Sequence, residues 1–146
     1  FCLKIISKTS KKILYVPKLV VWHHRRGELH KHLYQIGNYG LHRGHFAKVF
    51  PETSRRLIYF VPTLWVVFVI TGLFLSTLSH SIYILYLGGW VFYLAALAIS
   101  WKQICRYESI LVAFATIPYI LLSHLWYGIK FAQGFATKNL KNKLGR

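Results

Sequence analysis

No aspartate occurs in these 146 residues, and glutamate occurs only three times, at Glu28, Glu52 and Glu108. So few carboxylates leave no acid pair for general acid and base work, and no Ser/His/Asp set can be assembled. A complete catalytic mechanism would have to draw on residues from elsewhere. Cysteine is almost as scarce: Cys2 and Cys105 are far apart and show no Cys-x-x-Cys spacing. That excludes a disulfide framework and a zinc ribbon, and leaves reduced thiols on the cytosolic side as the expectation. Methionine is absent and the chain opens on Phe1, so a piece of a longer protein is expected. The apolar run at residues 1–6 is too short to read as a signal peptide.

What the chain has in quantity is apolar surface and positive charge. Hydrophobic residues make up 55% and charged residues 15%, and the apolar ones gather in long runs, which is a membrane composition. Lysine and arginine number 19, giving a formal charge of +16 that asks for an anionic partner. Nucleic acid, anionic lipid headgroups and phosphorylated substrates all qualify by charge. Beside runs of membrane-spanning length, headgroups or a phosphorylated substrate are favoured over nucleic acid.

Residues 20–50 organise the chain. This segment holds six of the eight histidines (His23, His24, His30, His32, His42, His45) and three of the arginines. Before it, residues 13–16 and 19–22 are β-branched and aromatic runs split by Pro17, which predicts two short strands that need a sheet from upstream. From Glu28 the period changes. Leu29, Leu33, Ile36 and Gly40 recur at helical spacing, with His30, Lys31, Gln35, Asn38 and His42 opposite, which predicts a basic amphipathic helix over 28–50 lying in the membrane interface. His30, His32, His42 and His45 are expected on its solvated or headgroup face. Gly37, Gly40 and Gly44 share one stripe, and each costs about 1 kcal/mol against alanine in a helix. Close approach of another helix and a break in this one are equally open. Pro51 ends the segment.

Residues 57–78 carry no charge and would reach about 33 Å as a helix, enough for a bilayer core of roughly 30 Å. Ser79-His80-Ser81 links this run to a second uncharged one at 82–100, so the pair reads as a hairpin between Arg55-Arg56 and Lys102 with Arg106. A third apolar run, 110–129, is interrupted by Pro118, Ser123 and His124 and is followed by Lys130, Lys138, Lys141, Lys143 and Arg146. A third crossing would carry these positive charges outside, against the positive-inside tendency, while a re-entrant or interfacial segment would keep them in the cytoplasm. Length favours three spans. The expected fold is thus mainly α and membranous, with an interfacial helix at 28–50, about three transmembrane helices within 55–136, and a basic tail at 137–146.

An aromatic-ended run, then His23-His24-Arg25-Arg26, then a basic helix with Gln35-x-x-x-Tyr39-Gly40-x-x-Arg43, then membrane helices, resembles the C-terminal part of membrane-bound family 2 glycosyltransferases. Phe1-Cys2-Leu3-Lys4-Ile5 and Lys12-Ile13-Leu14-Tyr15-Val16-Pro17 resemble the stretch after the Glu-Asp motif of those enzymes. His124-x-x-Tyr127-Gly128 and Gly134 resemble a pattern near their C-termini. The resemblance implies that residues 1–27 are the α/β edge of a GT-A catalytic domain. It further implies a sugar transferred from a nucleotide-sugar donor to a lipid-linked or glycan acceptor at the membrane face. A divalent metal, Mg or Mn, would bridge the donor diphosphate, with His23 as its ligand here and His24 as second choice.

Arg25 and Arg26 are placed in sequence to bind that diphosphate, because guanidinium groups and a metal-held imidazole stabilise the charge that develops on the leaving group. Gln35, Tyr39 and Arg43 fall to the interface helix and the acceptor. The family's Asp-x-Asp and its Glu-Asp base have no match in this sequence, so these residues alone are expected to be inactive. The implied setting is a bacterial or archaeal inner (plasma) membrane with residues 1–56 cytoplasmic; homo-oligomer formation stays open.

A different class of reading is a non-catalytic membrane module that binds anionic lipid and partner helices. A membrane di-iron enzyme is disfavoured, since His42-x-x-His45 has no second histidine box. Zinc is equally poorly supported, because the helical histidines lack acidic neighbours apart from Glu28.

Overall fold

The computed structural model describes residues 8, 9, 11, 12, 14–22 and 28–140. Its elements are helical: α1 (Leu29–Val49), one turn α2 (Pro51–Ser54), a 3-10 turn (Leu57–Phe60) that runs into α3 (Val61–Leu75), α4 (His80–Ile104) and α5 (Ile110–Ala136). Three helical stretches, Leu57–Leu75, His80–Ile104 and Ile110–Ala136, are long and apolar enough to cross a membrane.

The strands expected at 13–16 and 19–22 are not formed among the described residues. Residues 14–16 and 19–22 have no regular structure and lie exposed, Trp22 at 95%, with one turn bond from the Leu19 N–H to the Val16 carbonyl oxygen. A β-branched run becomes a strand only when a neighbour completes its ladder, and nothing described lies alongside. The α/β remnant expected at 1–27 is therefore absent from the described residues, and mainly helical structure is what remains.

α1 is unbroken through all three glycines, which settles the choice left open by the sequence in favour of close approach. Gly37, Gly40, Gly44 and Ala47 are buried against α5. A Cβ at Gly40 would stand 2.7 Å from the Tyr127 carbonyl oxygen, and one at Gly44 would meet the Phe131 carbonyl. The approach is reciprocal: a Cβ at Gly134 would meet the Leu41 carbonyl oxygen. Neighbours step together from His32 beside Ser123, through Gly37 beside Trp126, to Lys48 beside Ala136, so α1 and α5 run parallel. Missing side chains let the two backbones touch, and the dispersion attraction between them offsets the helix propensity lost.

α3 and α4 form an antiparallel hairpin packed through aromatic rings. Trp65 stacks on Tyr93 at 4.0 Å and meets Trp90 edge-on at 5.1 Å, while Phe68 lies 5.1 Å from Tyr86. Gly72 gives room to Tyr86 and Gly89 to Phe68. In lipid there is no hydrophobic drive between helices, so such ring and small-residue packing has to supply the attraction.

α5 begins with Ser109 as its cap, whose side-chain oxygen accepts from the Val112 N–H, and continues past Pro118. Near its start, Phe114 lies 5.1 Å from Trp101 at the end of α4. Near its end, Phe131 and Phe135 clasp Phe60 at 4.9 and 5.6 Å, just before α3. Between these points Thr63 donates its hydroxyl to the Gly128 carbonyl oxygen at 3.0 Å. Phe131 is fully buried at the junction of α1, α3 and α5, where its ring contacts hold the three together.

Candidate functional site

Where the first half of α1, the end of α4 and the first half of α5 meet, they leave an open groove of about 680 Å³. Its walls are apolar, from Ile36, Ile104, Val112, Ala115 and Ile120. Its polar edge comes from two imidazoles, each tied to a hydroxyl on another helix. His32 Nε2 lies 3.0 Å from Ser123 Oγ, and its ring tilts against Tyr119 at 5.8 Å. His124 Nδ1 lies 3.1 Å from the Tyr93 hydroxyl, whose ring is in turn stacked on Trp65.

These ties join residues 91 and 31 positions apart in the chain, so the edge is held by tertiary packing and not by local turn geometry. An apolar trough with a few hydrogen-bonding groups on one side suits an amphiphile with a long apolar body. Among the described residues no group of three or more His, Cys, Asp or Glu side chains is arranged to hold a metal ion.

The structure separates the residues singled out by sequence. His23, His24, Arg25 and Arg26 lie outside the described residues. Gln35 and Tyr39 are brought together, with the Gln35 amide donating to the Tyr39 hydroxyl at 2.8 Å on the outward face of α1. Arg43, one turn further, places its guanidinium 4.2 Å above the Tyr59 ring, next to the start of α3. Gly40, on the same side as Arg43, is buried against Tyr127 and Phe131, and the Arg43 side chain also bonds Tyr127. The four histidines expected on a solvated face divide. His30 is exposed, His42 is half-buried, and His32 and His45 are half-buried because their helical positions turn them toward α5.

Sequence reasoning missed the groove. His124 entered as an interruption of an apolar run and as part of the C-terminal resemblance, with no site assigned to it, although an ionisable ring within such a run is itself a functional signal. Its partner Tyr93 carried no signal, since tyrosines recur throughout the chain. No family model, no curated protein and no solved structure matches this chain.

Proposed function

We propose that this chain is the membrane-anchoring C-terminal part of a family 2-like glycosyltransferase, which passes a sugar from a nucleotide-sugar donor to a lipid-linked or polysaccharide acceptor at the membrane face. One observation carries the reading: the Gln35-x-x-x-Tyr39-Gly40-x-x-Arg43 pattern splits into two physical tasks. Gly40 seats the helix against α5 and Arg43 fastens it there, over Tyr59 and bonded to Tyr127, while Gln35 and Tyr39 stay on the outward face as hydrogen-bonding groups. Packing accounts for Gly40 and Arg43 and leaves the outward pair of Gln35 and Tyr39 for another task. The groove at the foot of α1 is of a kind that takes the apolar part of a lipid-linked acceptor.

In this reading His23, with His24 as second choice, contributes an imidazole to a Mg or Mn ion, and Arg25 and Arg26 draw the donor diphosphate to the same end. The remaining metal ligands and the base come from outside this sequence, which has no Asp-x-Asp. A bound divalent ion would supply charge neutralisation for the leaving diphosphate.

The test uses the full-length protein in membranes. Gln35→Ala and Arg43→Ala should each lower sugar transfer by about tenfold or more, as expected for a lost hydrogen bond to a charged group. Gln35→Ala should leave membrane insertion and stability normal, since Gln35 sits on the outward face; Arg43 also packs on Tyr59, so Arg43→Lys, which keeps a cation there, is compared beside Arg43→Ala. His23→Ala should remove metal-dependent turnover. Wild-type transfer in all three alanine variants would favour the second reading, a lipid- and helix-binding module, which the uncovered apolar faces of α3 and α4 support on their own.

A further inference from the structure

We infer that α5 does not cross the membrane but lies beside α1 at the boundary of headgroups and acyl chains in one leaflet, the two helices forming a basic surface whose partner is the anionic lipid of that leaflet. The first ground is where the ends of α5 are held. Phe60 precedes α3 and Trp101 closes α4, and because those helices are antiparallel both residues mark the same end of the hairpin, with the link at residues 76–79 at the other. Phe114 packs on Trp101 and Phe135 on Phe60. From Phe114 to Phe135 a helix covers about 32 Å, the thickness of a bilayer core. If α5 ran alongside the hairpin, Phe135 would finish beside the link. It finishes instead at the end where it started, with its middle against Thr63 and Tyr93, so α5 lies across the lower part of the hairpin.

Sidedness is the second ground. Thr116, Tyr119, Ser123, Trp126, Lys130, Gln133 and Thr137 recur three and four apart, a polar or amphipathic stripe along nearly the whole helix, whereas α3 and α4 are apolar all round. The stripe is turned toward α1, where Tyr119 and Ser123 meet His32 and Trp126 covers Gly37, so α5 is paired along its polar side with the basic helix α1 and shares its level. Charge is the third. Arg55, Arg56, Lys102, Arg106, Lys130 and Lys138 then gather at one end of the hairpin, while residues 76–79 at the other end carry no charge. That is the distribution an anionic leaflet selects.

The inference stands apart from sugar transfer and is tested without it. In the full-length protein carrying Cys2→Ser and Cys105→Ser, single cysteines replace Glu52, Ser79 or Lys138, all exposed. They are probed with a membrane-impermeant maleimide on sealed right-side-out and inverted vesicles. Lys138→Cys should react from the same side as Glu52→Cys and from the opposite side to Ser79→Cys. Reaction of Lys138→Cys on the Ser79 side, or of all three on one side, overturns the arrangement. For the lipid partner, a polarity-sensitive dye on Gln133→Cys is compared in phosphatidylcholine vesicles with and without phosphatidylglycerol. A blue shift with phosphatidylglycerol that added salt reverses is expected; equal spectra overturn the anionic partner.

Discussion

At Gly44 a methyl group would run into the Phe131 carbonyl oxygen and stand 2.9 Å from the Phe135 nitrogen, both backbone atoms that cannot swing aside. Gly44→Ala should therefore separate α1 from α5. Overpacking costs about 1–3 kcal/mol, against which alanine recovers about 1 kcal/mol of helix propensity. Gly88 meets nothing within 4 Å, so Gly88→Ala keeps the propensity gain alone and should stabilise by up to about 1 kcal/mol. Thermal unfolding followed by circular dichroism in detergent should order the variants Gly88→Ala, wild type, Gly44→Ala from most to least stable. Ser123→Ala leaves the facing His32 nitrogen without its partner and should cost about 1 kcal/mol in the same assay. The glycine stripe of α1 was plain in the sequence. Its partner was not, because the backbone it meets includes Gly134, ninety residues further on, and no local pattern ties two helices that distant.

Among the elements, α1 and α5 are a pair. Their parallel register predicts that a short bis-reactive cross-linker joins His32→Cys to Ser123→Cys, and Lys48→Cys to Ala136→Cys, while leaving His32→Cys with Ala136→Cys unjoined. Joining of the mixed pair would mean an antiparallel register. Pro118 sits inside α5 with no N–H to give, yet the helix continues, as membrane helices tolerate. Apolar runs gave α3 and α4 away in the sequence, since uniform hydrophobicity over about twenty residues has few other outcomes. Residues 14–22 show the opposite case. Leu14, Tyr15, Val20 and Trp22 have the composition of strands, but strand formation depends on a partner, and these side chains remain exposed.

For the whole molecule, charge and packing point the same way. The hairpin of α3 and α4 rises from a basic base made by α1, α5 and the residues that flank them. Arg55 helps fasten that base, donating from Nε to the Ala47 carbonyl oxygen at 3.1 Å and lying over the Phe135 ring at 5.9 Å. Replacing Arg55 by alanine should loosen α1 from the foot of α3 and raise protease sensitivity in residues 50–56 without unseating the hairpin. Sequence alone presented the third apolar run as a conflict between its length and the positive charges after it; the packing of Phe114 and Phe135 is what bears on that conflict, and no periodicity predicts it. The most direct measurement is a pair of distances between spin labels in the full-length protein, Glu52→Cys to Lys138→Cys and Ser79→Cys to Lys138→Cys. With α5 across the base of the hairpin, the first distance is the shorter by an amount comparable to the roughly 23 Å length of α3; the reverse order would contradict the account.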